Sequence, residues 1–473
     1  MLKTPSVSVE AHGIDFVPLS ERYGSPFRLF TLWFSVNLTI LGVALGTLGV
    51  AAGLSFGWVV TALILGNAMG TIIMAAHSAQ GPQLGVPQMI QSRAQFGVLG
   101  AALPLIAVVI MYTLYCAANG VLIQSSLEQI VPVSGNGALV LFGLMTLAAA
   151  FLGYEFIHRA AEVMTVISAA FFLFAAYRLF SAHAFGAFGL SNPRLHFSLA
   201  AFVLTTTQAA AWGLSYGPYV ADYSRYLPPS VSASATFWYT AFGCFLGSTA
   251  VMVFGASLAN VDSVHVADPA GAVASLFGSG RPIARALLVI GVVQGNVMNL
   301  YSAYLSAATI FSSLRGMQRI SSRVRLLTMG AVITIATVIS MFAQGNFQAY
   351  FSDALNIMIY LLMPWSAINL ADYYFVRGGL VPGDRYNIAD LFRLEGEYGR
   401  WRWKALTVFA AGIIVQLPFI SLSFYNGPLM QWIGSDIAWI PGLLVPGILY
   451  AMVEGRVSAR FDVAQARADQ VGS

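Results

Sequence analysis

The sequence predicts an all-α polytopic membrane protein with twelve transmembrane helices, ten of them in two inverted halves of five and two more at the C-terminal end. Three observations predict it. Of the 473 residues, 58% are hydrophobic and only 9% are Asp, Glu, Lys or Arg, against roughly 25% charged in an average soluble domain. Stretches free of all four charged types recur along the whole chain, and a bilayer-crossing helix needs about 20 mostly apolar residues. Lys and Arg gather in alternate connections. Disorder requires the opposite composition, and 32 Phe, 20 Tyr and 9 Trp spread through the chain exclude a low-complexity fibre.

The charge-free stretches place spans at 29–53, 57–77, 98–127, 136–154, 160–180, 199–220, 233–259, 283–310, 325–343, 351–373, 405–424 and 436–453. The first stretch holds two spans, because the polar, Pro-containing run from His77 to Pro87 follows a second apolar segment. The fifth span is short and needs Arg178 to reach the interface. Residues 1–28 form a polar N-terminal segment without the apolar core and cleavage site of a signal peptide. Residues 29–180 and 199–376 are the two halves, 405–453 the last two spans, and 454–473 a tail. The polar insert 377–404 is too short to bury a core of its own.

Orientation follows from basic residues. With the N-terminus in the cytoplasm, all but four of the 23 Lys and Arg fall inside; Arg178, Arg194, Arg281 and Arg285 fall outside. Both termini are expected in the cytoplasm, and the inner (plasma) membrane is the expected location. The basic clusters 315–325 and 377–404 read as topology anchors beside anionic lipid. Cys116 and Cys244 lie in apolar runs and read as small buried hydrophobes. Two cysteines make neither a disulfide framework nor a metal cluster, so no metal site and no cofactor are expected.

Because five is odd, two halves of five enter the membrane from opposite sides, the inverted-repeat arrangement of many secondary transporters. Those folds break the first helix of each half. Span 1 carries Gly42, Gly46 and Gly49 after Ser35 and Asn37, and span 6 carries Gly213 and then Gly217-Pro218. Pro is well placed at the start of a new helical segment. Gly and Pro serve helix packing equally well, so composition leaves the breaks open.

The span interiors are nearly empty of ionisable groups. Glu128, Asp222, Asp353 and Asp372 sit at span ends, whereas Asn37, Tyr115, Asn119, Gln208, Trp212, Ser215, Tyr216, Gln294, Asn296 and Asn299 lie within. Amides read hydrogen-bonding edges and rings stack on flat faces, so this inventory suits an uncharged planar ligand. Tyr115 and Asn119 are four apart, and Asn296 and Asn299 three apart, so each pair shares a helix face. The alternative is that such residues are hydrogen-bonding glue between helices.

Two strings carry a resemblance. Residues 87–97, PQMIQSRAQFG, follow span 2, and residues 215–228, SYGPYVADYSRYLP, end span 6; weaker likenesses are Trp33–Asn37 and Asn296–Ser302. These resemble the nucleobase:cation symporter-1 family, in its purine-cytosine permease branch. The resemblance implies a five-plus-five, LeuT-like fold that imports nucleobases or related heterocycles by coupled cation movement. It implies a substrate site of Ser35, Asn37, Tyr115, Asn119, Tyr216, Asn296 and Asn299, with Trp212 and Gln294 as possible additions. Relatives usually carry Trp where Tyr115 and Tyr216 stand, which leaves the exact heterocycle open among nucleobases, allantoin, hydantoins, uracil and vitamin precursors. Sodium-coupled relatives place a Ser/Thr pair on span 8, aligned near Ile290-Gly291-Val292, where this chain has no hydroxyl. A proton is therefore favoured as coupling ion, with Asp222 and Glu128 the nearest carriers. The segment Asp222–Tyr226 also reads as structural, with Asp222 pairing with Arg225 or capping span 6.

Other classes fit poorly. A membrane-embedded enzyme needs clustered acids, His or a metal site, but His12, His77, His158, His183, His196 and His265 are scattered and no HExxH motif occurs. A selective channel commonly shows charged rings or carbonyl-filter repeats. The expected partners are a small heterocyclic molecule and the lipid bilayer, with no nucleic acid; the oligomeric state is left open.

Overall fold

In a bilayer every backbone polar group must be satisfied within the chain, so long apolar segments become helices. The computed structural model describes residues 14–151, 154–182, 197–315 and 321–455. The expected N-terminal segment before Ile14, and the tail beyond Gly455, lie outside the described residues. Among the described residues, fifteen α-helices of eight residues or more carry the fold: α1 (Phe27–Asn37), α2 (Ile40–Ala51), α3 (Phe56–Ser78), α4 (Gln88–Phe96), α5 (Ala102–Glu128), α6 (Gly135–Phe151), α7 (Tyr154–Ala182), α8 (Leu199–Ser215), α9 (Gly217–Ser224), α10 (Ala233–Val261), α11 (Arg281–Arg315), α12 (Ser322–Ala343), α13 (Phe347–Ala371), α14 (Trp403–Ile414) and α15 (Trp439–Glu454). Among the described residues six helices are long and apolar enough to cross a membrane, or seven if α1 and α2 count as one bent span.

Two groups of helices pack around the middle. One is α1, α2, α3, α8, α9 and α10; the other is α5, α6, α11 and α12, with α13 leaning on both α5 and α8. The connections sort to two faces. On the first, Val17 N–H donates to Gly85 O (2.9 Å), Tyr23 N–H to Tyr226 O (2.8 Å), and Val98 N–H to Gly399 O (2.9 Å). On the second, Gln344 bonds Asn136, and Ser423 bonds Asp353.

Span 1 is two helices, bent by 61° at Leu38–Thr39. The break follows Asn37 directly, and the Thr39 side chain caps α2 by accepting from Gly42 N–H (3.3 Å). Gly42, Gly46 and Gly49 therefore lie inside α2 and do not make the break. They let α2 press on neighbours: a Cβ on Gly42 would stand 2.6 Å from the Val251 side chain, and one on Gly46 would collide with the Met252 carbonyl. Span 6 is interrupted at Tyr216 between α8 and α9. Pro218 lacks the N–H that a continuous helix would give to Leu214.

Span 11 departs from 405–424. Helix α14 ends at Ile414, about 18 Å of helix at 1.5 Å per residue, and a 3₁₀ turn at Leu417–Phe419 leads into a short hairpin, Ser421–Leu422 against Tyr425–Asn426. Asp436, expected to open the last span, is a buried staple for that run. It accepts from Ser421 N–H (2.7 Å), Ala438 N–H (2.9 Å) and the Tyr360 hydroxyl. In α13, Pro364 cannot donate to the Tyr360 carbonyl, and the Gln416 amide donates there instead (2.8 Å).

The insert 377–404 is more than a row of lipid anchors. Arg377 is buried beside Asp372 (3.5 Å), and Arg402 N–H donates to Phe96 O (3.0 Å). Arg93, from the PQMIQSRAQFG string, is buried and donates to Leu391 O (3.0 Å), Thr309 O (2.8 Å) and the Ser312 (2.6 Å) and Ser313 (2.8 Å) hydroxyls. It ties α4, α11 and the insert together. Asp222 is a cap, but of a neighbour: its Oδ1 accepts Gln88 N–H (2.8 Å) at the start of α4, where a helix favours negative charge.

Candidate functional site

Both helix interruptions border one cavity. Its wall is made by Val36, Thr39 and Leu41 at the first break, Tyr112, Tyr115 and Asn119 on α5, Trp212, Ser215, Tyr216 and Tyr219 at the second break, and Val292, Gly295 and Asn299 on α11. No Asp, Glu, Lys, Arg or His lines it. The space inside is about 30 Å³, room for no more than a few waters, so a larger occupant requires side chains to turn aside. A wider recess of about 630 Å³ opens toward the second face, between Thr47, Leu122, Pro269, Gln344 and Phe351.

The rings form a continuous cluster. Tyr115 meets Trp212 edge-on at 5.9 Å, Trp212 meets Tyr216 at 5.9 Å, Tyr216 meets Tyr219 at 5.7 Å, and Tyr219 meets Tyr112 at 5.1 Å. Such edge-to-face contacts hold rings in place. Trp33 backs the cluster, 5.3 Å from Tyr216. The Tyr112 hydroxyl is buried without a hydrogen-bond partner among the described residues, so it has capacity for one.

Of the residues expected at the site, Tyr115, Asn119, Tyr216 and Asn299 line the cavity, as does Trp212. Asn296 stands one layer behind. Its Oδ1 accepts from Asn119 Nδ2 (3.2 Å), and its own Nδ2 donates to the Thr146 hydroxyl (3.4 Å). Asn37 also stands behind the wall: its Oδ1 accepts from Trp212 Nε1 (2.6 Å) and the Tyr216 hydroxyl (3.3 Å), and its Nδ2 donates to Trp33 O (2.5 Å). Its carboxamide is spent on holding the two rings. Ser35 donates to Leu32 O (3.0 Å) within α1, and Gln294 keeps a buried Nε2 without a partner among the described residues; neither is at the wall. Tyr112 and Tyr219 were missed by the sequence reading, although each lies three positions from a ring that was named. Thr39 was missed because nothing in the sequence marked Leu38–Thr39 as the break.

Toward the first face the cavity floor is closed by a buried polar layer under Gly217, in which hydrogen bonds link Gln88, His77 and Ser366 in one set and Gln80, Asn369, Gln95 and Asp372 in another. His77 is thus a buried ionisable group near the site, in addition to the Asp222 and Glu128 that the sequence offered.

A family profile described as a permease for cytosine/purines, uracil, thiamine and allantoin matches residues 16–440. The chain belongs to this permease family. The Bacillus subtilis protein YxlA, itself provisionally named a purine-cytosine permease, is 38% identical over 445 residues, 94% of this chain and 95% of that protein. The Saccharomyces cerevisiae purine-cytosine permease FCY2 is 27% identical over 475 residues, 94% of this chain and 85% of that one. Among solved structures, the nucleobase-cation-symport-1 family transporter Mhp1, closed with bromovinylhydantoin bound, superposes with a TM-score of 0.75 at 17% identity, covering 94% of each chain. This permease is therefore a multi-pass membrane transporter of the nucleobase-cation-symport-1 type, in its purine-cytosine branch, and not an enzyme.

Proposed function

We propose that this permease imports a neutral nucleobase, of the cytosine or purine class, by proton symport with alternating access. The observation that carries the reading is the cavity at the two helix breaks, whose polar lining is uncharged and whose walls are rings and amides. A flat neutral base offers two stacking faces and an edge of donors and acceptors to such a wall. The names of YxlA and FCY2 favour cytosine and purines over the other heterocycles of the family.

The proposed architecture is the twelve-span, five-plus-five fold, with both termini in the cytoplasm of a cell's inner membrane. In its support, each of the twelve apolar stretches carries a helix, with α1 and α2 together on the first and α8 and α9 together on the sixth. The first face, which bears the basic insert, is then cytoplasmic, and the recess of about 630 Å³ opens outward. Against sodium stands the surface facing the first break, where α11 presents Leu287, Leu288, Gly291 and Val292, with Thr39 and Ser168 the hydroxyls nearby. Hard cations take several oxygen ligands.

The test is uptake of labelled cytosine, adenine, hypoxanthine and allantoin by cells expressing the permease, with and without a proton uncoupler and with sodium replaced. Cytosine or a purine should accumulate, the uncoupler should abolish accumulation, and sodium removal should not. Failure to accumulate any of the four, or dependence on sodium, contradicts the proposal.

A further inference from the structure

His77 lies in the last turn of α3 and is fully buried. Its ring stacks on Trp365 of α13, with centroids 4.7 Å apart and planes 15° from parallel. Gly217, next after the cavity residue Tyr216, lies over both rings: a Cβ built there would be 3.5 Å from His77 Cδ2 and 3.5 Å from the Trp365 ring. The imidazole therefore sits directly beneath the second helix break. Its Nε2 bonds the Ser366 hydroxyl (3.1 Å), and its Nδ1 faces the Gln88 Nε2 (3.4 Å). An amide –NH₂ only donates, so with the Gln88 amide in this orientation Nδ1 is the acceptor and the ring proton belongs on Nε2. The other end of the same amide, Gln88 Oε1, is buried without a hydrogen-bond partner among the described residues.

We propose that His77 is the proton-binding residue of the transport cycle, and that its protonation unlocks the closed floor of the cavity. This rests on the reading of the protein as a proton-coupled nucleobase symporter. A proton on Nδ1 sets donor against donor. Rotating the Gln88 amide by half a turn brings the orphan Oε1 to Nδ1–H and takes its –NH₂ from Gln91 Oε1 (3.5 Å), so the Gln91 amide turns with it to present its own –NH₂, while Nε2–H keeps Ser366. The site thus has a ready acceptor for one additional proton.

The charge itself then has no counterion in hydrogen-bond contact. From α9, Asp222 is bound to Gln88 N–H. From the segment after α13, Asp372 accepts from Gln95 (2.8 Å), Tyr386 (2.9 Å) and Tyr450 (3.0 Å) and pairs with Arg377, and the Tyr374 hydroxyl donates to Ala76 O (2.7 Å). From α4, Arg93 is directed to α11 and the insert. From α13 come neutral Ser366, Trp365 and Asn369. A buried unpaired cation is costly, so the imidazolium favours the state in which water reaches it. That state parts α3 and α9 from α13, and His77 grips α13 next to its proline, at Trp365 and Ser366. Protons entering with substrate from the recess would then leave with it through the opened floor.

Two measurements on the full-length protein test this. In the first, nitroxides are placed at the exposed positions Ser230 and Gly379, on the two sides of the floor, and pulsed-dipolar distances are read from about pH 8 to about pH 5. Both native cysteines are buried. Acid should enlarge the long-distance population at least about fivefold in the parent protein and leave His77→Gln unchanged. In the second, reconstituted His77→Gln should keep counterflow exchange of labelled nucleobase but lose uphill accumulation by more than about tenfold. Equal acid responses in parent and variant, no response in either, or uncoupler-sensitive accumulation by His77→Gln overturns the proposal. Should His77→Gln fail to fold, Gln88→Met removes the acceptor and keeps the imidazole. It should move the acid response about one pH unit lower, and an unmoved response overturns the proposal. If the parent accumulates no nucleobase while the nitroxide pair still answers to acid through His77, the transport reading fails and the proton latch stands.

Discussion

Asn119 and Asn296 show how the site divides its labour. Asn119 faces the cavity, while Asn296 holds it from behind and is itself anchored to Thr146. Removing the rear amide leaves a buried Asn119 donor without its acceptor, a penalty of about 1–3 kcal/mol. Asn296→Ala should therefore cut uptake roughly 5–150-fold with an unchanged amount of protein in the membrane; wild-type uptake would remove the pair from the mechanism. Tyr216→Trp loses the hydroxyl that Asn37 accepts and enlarges the ring beside Trp212. Its competition profile across cytosine, purines and allantoin should shift, and an identical profile would show that the ring does not touch substrate. Spacing made Tyr115 and Asn119 legible, since four residues on a helix share a face. Asn37 was legible as a polar residue but not as a support, because the rings it holds are 175 and 179 positions away.

At the scale of elements, helices meet where glycine removes the side chain. Gly70 and Gly213 face each other across α3 and α8, and a Cβ on Gly213 would lie 2.8 Å from the Gly70 backbone. Gly213→Leu should thus lower the folded yield, since overpacking costs typically about 1–3 kcal/mol and a backbone neighbour cannot turn aside. Gly330→Leu, with nothing within 4 Å of its Cβ position, should not. Fluorescence-detected size exclusion of tagged variants compares the two, and equal monodisperse yields would contradict this packing. Charge-free length located the helices, because the bilayer penalises ionisable groups regardless of neighbours. It did not locate the first break. Glycine marked α2's contacts with α10, while the break itself rests on a threonine cap that many sequences would offer. Span 11 was overdrawn for a related reason: the apolar run continues past Ile414, but the α-helix does not.

For the whole molecule, the arrangement is a cavity closed toward one face by buried hydrogen bonds and approached from the other by a recess. Alternating access requires those two closures to exchange. The floor was invisible in the sequence because its members are dispersed: Gln80 meets Asn369, and Gln95 meets Asp372, across 289 and 277 positions. We propose that the ring-and-amide cavity binds an uncharged planar base. Direct binding of labelled cytosine and adenine to purified protein, for the parent and for Asn119→Ala, tests it most directly. The account predicts saturable binding to the parent, displaced by other neutral bases, and affinity at least about tenfold weaker in the variant. Binding of equal strength in both proteins, or of neither base to the parent, would contradict it.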